Sequence, residues 1–130
     1  MGRWATTVLV VEDSRDTLDA YGLLLRMDGF HVLKAATGQD AVRLGRHHHI
    51  DALITDLNLP DIPGDVLIRT LRAEGELPLR VATITGEDSA WRARARHAGA
   101  DVVFTKPVEW ADVLRWLRSG VDQTAAGVHL

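Results

Sequence analysis

The chain contains the stretch Asp51-Ala52-Leu53-Ile54-Thr55-Asp56-Leu57-Asn58-Leu59-Pro60, in which a short apolar run ends at an acidic residue. Leu53, Ile54 and Thr55 predict a buried strand, and the Asn, Pro, Asp and Gly residues that follow through position 64 predict a turn. Asp56 is therefore expected at the carboxyl end of the strand. Ligands bind at this edge of an open α/β sheet. Taken alone, however, Asp56 is better explained as a residue that begins a turn.

Three further strand-like runs also end in charged or hydroxyl-bearing residues. These residues are Glu12 and Asp13 after residues 7–11, Thr85 at the end of residues 80–85, and Lys106 after residues 101–105. In a parallel sheet all these strand ends lie at the same edge. The sequence therefore predicts that three carboxylates, a hydroxyl and a lysine lie close together.

The chemistry of this set differs from that of any single member. Three neighbouring carboxylates repel one another, and a hard divalent cation neutralises that repulsion best. A lysine and a hydroxyl beside such a cation suit an incoming phosphoryl group. The pattern therefore indicates a site for metal-assisted phosphoryl chemistry.

The ordered set of motifs closely resembles the receiver domain of two-component response regulators. The resemblance rests on Glu12-Asp13, Asp56, the loop 59–64, Thr85 and Lys106-Pro107, and it extends from Thr7 to Arg118. Five alternating strands and helices with right-handed crossovers predict an α/β fold, a flavodoxin-like, doubly wound (βα)5 domain with a parallel sheet in the order 2-1-3-4-5. The switch point of that order lies between strands 1 and 3, where the acids are expected.

The resemblance implies a role for each residue of the predicted site. Asp56 would accept a phosphoryl group from a histidine of a sensor histidine kinase or a histidine phosphotransfer protein. Mg2+ would be bound by Asp13, Asp56, the backbone carbonyl of Asn58 and, through water, Glu12. The other implied roles are phosphoryl binding for Lys106, Thr85 and the Gly86 amide, control of dephosphorylation for Asn58 and Glu87, and switching for Thr85 and Val103.

Two other functions are weighed against the phosphoacceptor. A metal-dependent enzyme such as a phosphatase would have a second acid two residues after Asp56, but Asn58 occupies that position, and the GxxxxGK[ST] phosphate loop is absent. A structural receiver would act by protein–protein interaction or dimerisation without phosphorylation. Such receivers usually lack an acid, the acceptor or the lysine, whereas this chain has all of them. We therefore expect a phosphoacceptor signalling domain and not an enzyme.

The residue three positions before the lysine departs from the family pattern. In the usual receiver an aromatic ring at this position turns inward behind the threonine, but here the residue is Val103 and its neighbour is Phe104. Strand side chains alternate between faces, so Phe104 is expected on the opposite side, and a β-branched Val103 has few rotamers. We therefore expect output through residues 86–89 and the fourth helix. The expected partner or homodimer face is the surface of helix 4, strand 5 and helix 5, including Arg92, Arg96 and Trp116.

Helical periodicity gives expectations for the helices. Ser14 is expected to cap the first helix. The expected apolar faces are Leu18, Tyr21, Leu24 and Leu25 on the first helix, and Trp110, Leu114, Leu117 and Val121 on the last. Arg46-His47-His48-His49 invites a metal-site interpretation, but consecutive helical residues point in different directions, so a polar helix end is favoured.

Composition fits one soluble domain. The chain has 130 residues, of which 46% are hydrophobic and 25% charged, and a formal net charge of −3 that argues against direct nucleic-acid binding by this chain. No apolar run is long enough to cross a membrane, and the absence of cysteine excludes disulfides and thiolate metal sites. We expect a cytoplasmic protein with an N-terminal extension at 1–6, a receiver domain at 7–120 and a tail or linker at 121–130.

Overall fold

The computed structural model describes residues 6–75, 78–86 and 89–129, and within them five strands alternate with five helices. The strands are β1 (Thr7–Val11), β2 (His31–Ala35), β3 (Ala52–Thr55), β4 (Arg80–Thr85) and β5 (Val102–Thr105). The helices are α1 (Arg15–Met27), α2 (Gly38–His47), α3 (Gly64–Glu74), α4 (Ser89–His97) and α5 (Trp110–His129). The predicted alternation is confirmed.

The strands form one parallel sheet in the order β2-β1-β3-β4-β5, as predicted. Val11 and Thr55 are register partners at the ends of β1 and β3. The backbone N–H of Asp56 extends this pairing by donating to the Val11 carbonyl at 3.1 Å. The residues that follow Val11 and Thr55 are therefore neighbours at the carboxyl edge of the sheet.

Helices cover both faces of the sheet, so the strands are apolar on both sides. Val8 and Val10 belong to the core cluster under α1 and α5, whereas Leu9 and Val11 belong to the cluster under α2, α3 and α4. This alternation is the period of two that strand geometry imposes. The two core clusters, one on each face, therefore hold the sheet and its carboxyl edge in position.

Helix α1 differs in two details from the expectation. Leu18 and Leu25 are buried, but Leu24 is 39% exposed, because a helix turns by 100° between consecutive residues and only Leu25 faces the sheet. Ser14 occupies the N-cap position, yet its side chain makes no capping hydrogen bond. Its backbone N–H instead donates to Glu12 Oε2 at 3.0 Å, so the helix start is tied to the predicted site.

Helix α5 extends to His129, whereas we expected regular structure to end near residue 120. Residues 121–129 contain no proline, so every residue can take part in helical hydrogen bonding. The domain boundaries at 6 and 120 remain predictions, and residues 1–5 lie outside the described part of the chain.

Trp116 is not the exposed aromatic that its position off the stripe suggested. It packs against the core cluster under α1 and α5, and the Arg80 guanidinium lies 4.2 Å from its ring centroid. Arg80 also donates to the carbonyls of Trp116 and Leu117, at 2.8 and 3.2 Å. Trp116 therefore packs on the side of α5 that faces the sheet. Val113 of α5 is also buried in the core, and the sequence analysis did not identify it.

The histidine run is the end of α2. The last residue of the helix is His47. The next two residues, His48 and His49, are exposed, and the His49 ring lies 2.8 Å from Asp51 Oδ1. Among the described residues, the only group that could hold a metal ion is Glu12, Asp13 and Asp56. Within the same residues, no helix has the length and apolar character required to span a membrane.

Candidate functional site

Three carboxylates converge at the carboxyl edge of the sheet. Glu12 and Asp13 follow β1, Asp56 follows β3, and one oxygen from each lies within 4.8 Å of the others. Glu12 is buried at 5% exposure, whereas Asp13 is exposed. A buried and an exposed acid beside a third one suit a hard cation that keeps part of its water shell. The three acids therefore lie close together, as the sequence predicted.

Lys106 reaches the acids from the other side of the site. It follows β5, and its Nζ donates to Asp56 Oδ2 at 2.9 Å and lies 3.9 Å from Glu12 Oε1. Its backbone N–H donates to the Thr85 carbonyl at 2.7 Å, which extends the pairing of β4 with β5. The Lys106–Pro107 peptide is cis. Lys106 thus makes one hydrogen bond through its ammonium group, to Asp56, and one through its backbone N–H, to Thr85.

The charges of the site perturb one another. Burial raises the pKa of Glu12, and the Asp13 and Asp56 carboxylates add to that rise, while the Ser14 N–H and Lys106 oppose it. Partial burial works against the charge of Lys106, but its hydrogen bond to Asp56 and the charges of Asp56 and Glu12 raise the pKa of Lys106. The acids outnumber the lysine, so the site favours an added cation.

Both oxygens of Asp56 are held. Oδ1 accepts a hydrogen bond from the Asn58 backbone N–H at 3.0 Å, and Oδ2 accepts the one from Lys106. Asn58 itself is exposed, so its side chain faces solvent beside the acceptor. The carboxylate is therefore oriented before any reaction. The metal-binding role of the Asn58 carbonyl remains a prediction.

Thr85 ends β4 between the acid and the lysine, as predicted. Its side chain is buried, and its hydroxyl donates to the Gly86 carbonyl at 3.0 Å. Gly86 is exposed, and a Cβ added there would meet no atom of the described residues within 4 Å. Glu87 lies outside the described residues, and its role in dephosphorylation stays a prediction.

Val103 and Phe104 lie on opposite sides of the sheet. Val103 packs against the core cluster under α2, α3 and α4, and Phe104 packs against the cluster under α1 and α5. Phe104 therefore cannot take the place of an inward-turning ring behind Thr85. On α4, both Arg92 and Arg96 are exposed, which leaves them available on the predicted partner face.

Asp61 has a role that the sequence did not reveal. Its carboxylate accepts backbone N–H groups of Gly38 and Gln39 at 2.8 Å each, so it caps α2 from the loop that follows Asp56. Although desolvation works against its charge, the hydrogen bonds from Gln39, Gly38 and Ile62 lower the pKa of Asp61. A turn residue was expected here, and no local signal points to partners more than 20 residues away.

Gly64 allows α3 to begin directly against the acceptor. A Cβ at this position would lie 2.6 Å from both the Asp56 carbonyl oxygen and the Leu57 Cα. Backbone atoms cannot yield easily, so only glycine fits without moving the loop. Glycine is required at position 64 because there is no space for a side chain. The sequence analysis predicted only a turn at this position.

Known proteins share this sequence and geometry. Residues 8–118 match the family model of the response regulator receiver domain. The transcriptional regulatory protein KdpE of Mycobacterium tuberculosis is 35% identical over 125 residues, which are 96% of this chain and 55% of that protein. The chain thus spans about half the length of this relative.

Two solved structures have the same fold. The CheY-like receiver domain protein of Methanospirillum hungatei has a TM-score of 0.86 at 24% identity, covering 95% of this chain and 99% of that one. The response regulator receiver protein of Pseudomonas putida has a TM-score of 0.80 at 29% identity, covering 91% and 99%. Together with the family match, these similarities show that the chain belongs to the receiver domains of two-component response regulators.

Proposed function

We propose that the chain is a phosphoacceptor in which Asp56 receives a phosphoryl group from a phosphohistidine of a partner protein. The observation that carries the proposal is the Asp56 carboxylate, which Lys106 and the Asn58 N–H orient at 2.9 and 3.0 Å beside two further acids. A carboxylate is a weak nucleophile, so orientation and charge neutralisation are what the site must supply.

The transfer exchanges one bond to phosphorus for another. An Asp56 carboxylate oxygen forms a bond to phosphorus as the P–N bond to the donor histidine breaks, and the imidazole nitrogen leaves with the bonding pair. Lys106, which donates to Asp56, would donate to a phosphoryl oxygen. The Thr85 hydroxyl would exchange its bond with the Gly86 carbonyl for one to the phosphoryl group.

The donor set fits Mg2+. Asp13, Asp56 and the Asn58 carbonyl would hold the ion, and Glu12 would act through water, since one of its oxygens already accepts the Ser14 N–H. Bound Mg2+ neutralises charge that develops on the phosphoryl oxygens. The protein's own contribution is the alignment of Asp56 and the lysine.

The signal would pass to other proteins. We assign the donor to a sensor histidine kinase or a histidine phosphotransfer protein in the cytoplasm, and the homodimer or partner face to α4, β5 and α5, where Arg92 and Arg96 are exposed. KdpE is a transcriptional regulatory protein of about twice the matched length. Any nucleic-acid contact is therefore assigned to another protein or domain that this receiver controls.

Phosphorylation of the intact chain tests the proposal. Incubation with a small-molecule phosphodonor and Mg2+ should add one acid-stable, base-labile phosphoryl group. Asp56→Asn should abolish the addition and Asp13→Asn should nearly abolish it, whereas Asp61→Asn, a change in the same loop outside the acid cluster, should retain it. Labelling of Asp56→Asn at the wild-type stoichiometry would overturn the assignment.

A further inference from the structure

Two aromatic rings join the helices that follow the acids and the lysine. Tyr21 of α1 stacks on Trp110, the first residue of α5, with ring centroids 4.9 Å apart and planes inclined by 19°. Helix α1 begins two residues after Asp13, and Trp110 lies four residues after Lys106. The stack therefore connects the two segments that carry opposite charges of the site.

The tyrosine lies within the electric field of the site. Burial raises the pKa of Tyr21, and the charges of Glu12 and Asp56 add to that rise while Lys106 opposes it. Both rings pack against the core cluster under α1 and α5. Tyr21 is thus packed on this core while the charges of the site act on its hydroxyl group.

Among the described residues, Trp110 makes its contacts through its ring. Its Nε1 is buried and has no hydrogen-bond partner among the described residues, an arrangement that costs free energy. Offset aromatic stacking contributes beyond the burial of area and can offset that cost. A phenylalanine at this position would keep a stacked ring and remove the unsatisfied donor.

A second contact joins the same helices far from the site. Arg118 of α5 forms an ion pair with Asp28, which follows α1. The stack and the ion pair thus join α5 to α1 and its C-terminal cap at two separate places along α5. Because only the stack is near Lys106, the two contacts can be removed separately.

We propose that Tyr21 and Trp110 are positioning residues that hold the segment from Lys106 to α5, and thereby keep the lysine ammonium 2.9 Å from Asp56. The inference rests on the proposed phosphoacceptor function. The Lys106 side chain is 42% exposed, so packing around the ammonium does not by itself fix its position. Without the stack, the segment shifts, and the Lys106 ammonium loses its contacts with Asp56 and with the phosphoryl oxygen.

The proposal separates two kinds of binding. Mg2+ is held by acids on β1 and β3, whereas a phosphoryl group also requires Lys106. Tyr21→Leu and Trp110→Leu should each weaken binding of the phosphoryl analogue beryllofluoride and slow phosphorylation by about tenfold, since small misplacements of a catalytic group are costly. Mg2+ affinity measured without the analogue should stay at the wild-type value. Tyr21→Phe, Trp110→Phe and Arg118→Ala should resemble the wild type in both measurements.

A second series tests whether the effect passes through the lysine. In a Lys106→Met background, adding Tyr21→Leu should cause no further loss of beryllofluoride affinity. Equal losses of Mg2+ and beryllofluoride binding, an undiminished loss in the Lys106→Met background, or wild-type behaviour of both leucine variants would overturn the proposal. If the wild type itself neither binds beryllofluoride nor becomes phosphorylated, it is the phosphoacceptor function that fails.

Discussion

Substitutions of two buried threonines at the same level of the sheet should change the stability of the protein in opposite directions. Thr83 of β4 and Thr55 of β3 are register partners, and both are 0% exposed. The Thr55 hydroxyl donates to the Asp56 carbonyl at 2.8 Å, whereas the Thr83 hydroxyl has no partner among the described residues. Replacing each by valine keeps the branched shape and removes only the hydroxyl.

The expected magnitudes follow from these contacts. An unsatisfied buried hydroxyl costs about 1–3 kcal/mol, so Thr83→Val should raise the free energy of unfolding by about 1 kcal/mol or more. Thr55→Val should lower the free energy of unfolding by about 1 kcal/mol, because it removes a hydrogen bond and leaves the Asp56 carbonyl with one partner fewer. For a domain of this size, each change should move the melting temperature by about 2–8 °C, in opposite directions.

Urea unfolding followed by circular dichroism measures both variants under identical conditions. With a slope of about 1–3 kcal/mol per molar urea, the two midpoints should move apart by roughly 1 M or more. If Thr83→Val destabilises the protein as much as Thr55→Val does, the Thr83 hydroxyl has a partner in solution.

Three further outcomes are expected from the site. Asn58→Met should slow dephosphorylation severalfold with Mg2+ affinity unchanged, because a polar side chain that can orient water is lost; unchanged decay would remove that role. Beryllofluoride with Mg2+ should shift amide signals from Gly86 to Ala98 in the wild type and much less in Thr85→Ala; identical shifts would place the output elsewhere, for instance in residues 57–64. Because the pKa of Lys106 is raised by folding, its ion pair stabilises the protein fully below the ordinary lysine pKa, and this stability is lost as pH rises through the higher folded pKa. Lys106→Met should therefore reduce the alkaline loss of stability, and equal slopes in unfolding titrations of the two proteins would contradict this.

The sheet order and the convergence of the acids were predictable because they depend on strand ends. An apolar run that stops at Asp56 or Glu12 places the acid at the carboxyl end of its strand. Because the strands are parallel neighbours, the acids then lie at the same edge of the sheet. The contact from Lys106 to Asp56 follows from the same geometry. None of these inferences requires knowledge of side-chain packing.

Contacts between distant loops could not be predicted in this way. Asp61 caps α2 through residues 22 and 23 positions earlier in the chain, and nothing in the turn sequence identifies that partner. The stack of Tyr21 on Trp110 depends on how α1 and α5 settle on one face of the sheet. Leu24 was misplaced because a run of three leucines leaves the helix face ambiguous by one residue.

The position of the phosphoryl group on the chain is the most informative single measurement. Borohydride reduction of the phosphorylated protein converts an acyl phosphate on aspartate to homoserine, which peptide mass spectrometry then locates. We expect the conversion at Asp56 alone, since that carboxylate is oriented by both Lys106 and the Asn58 N–H. Conversion at Asp13 or Asp61 with Asp56 unmodified, or label retained on a histidine, would contradict the assignment of Asp56 as the phosphoacceptor.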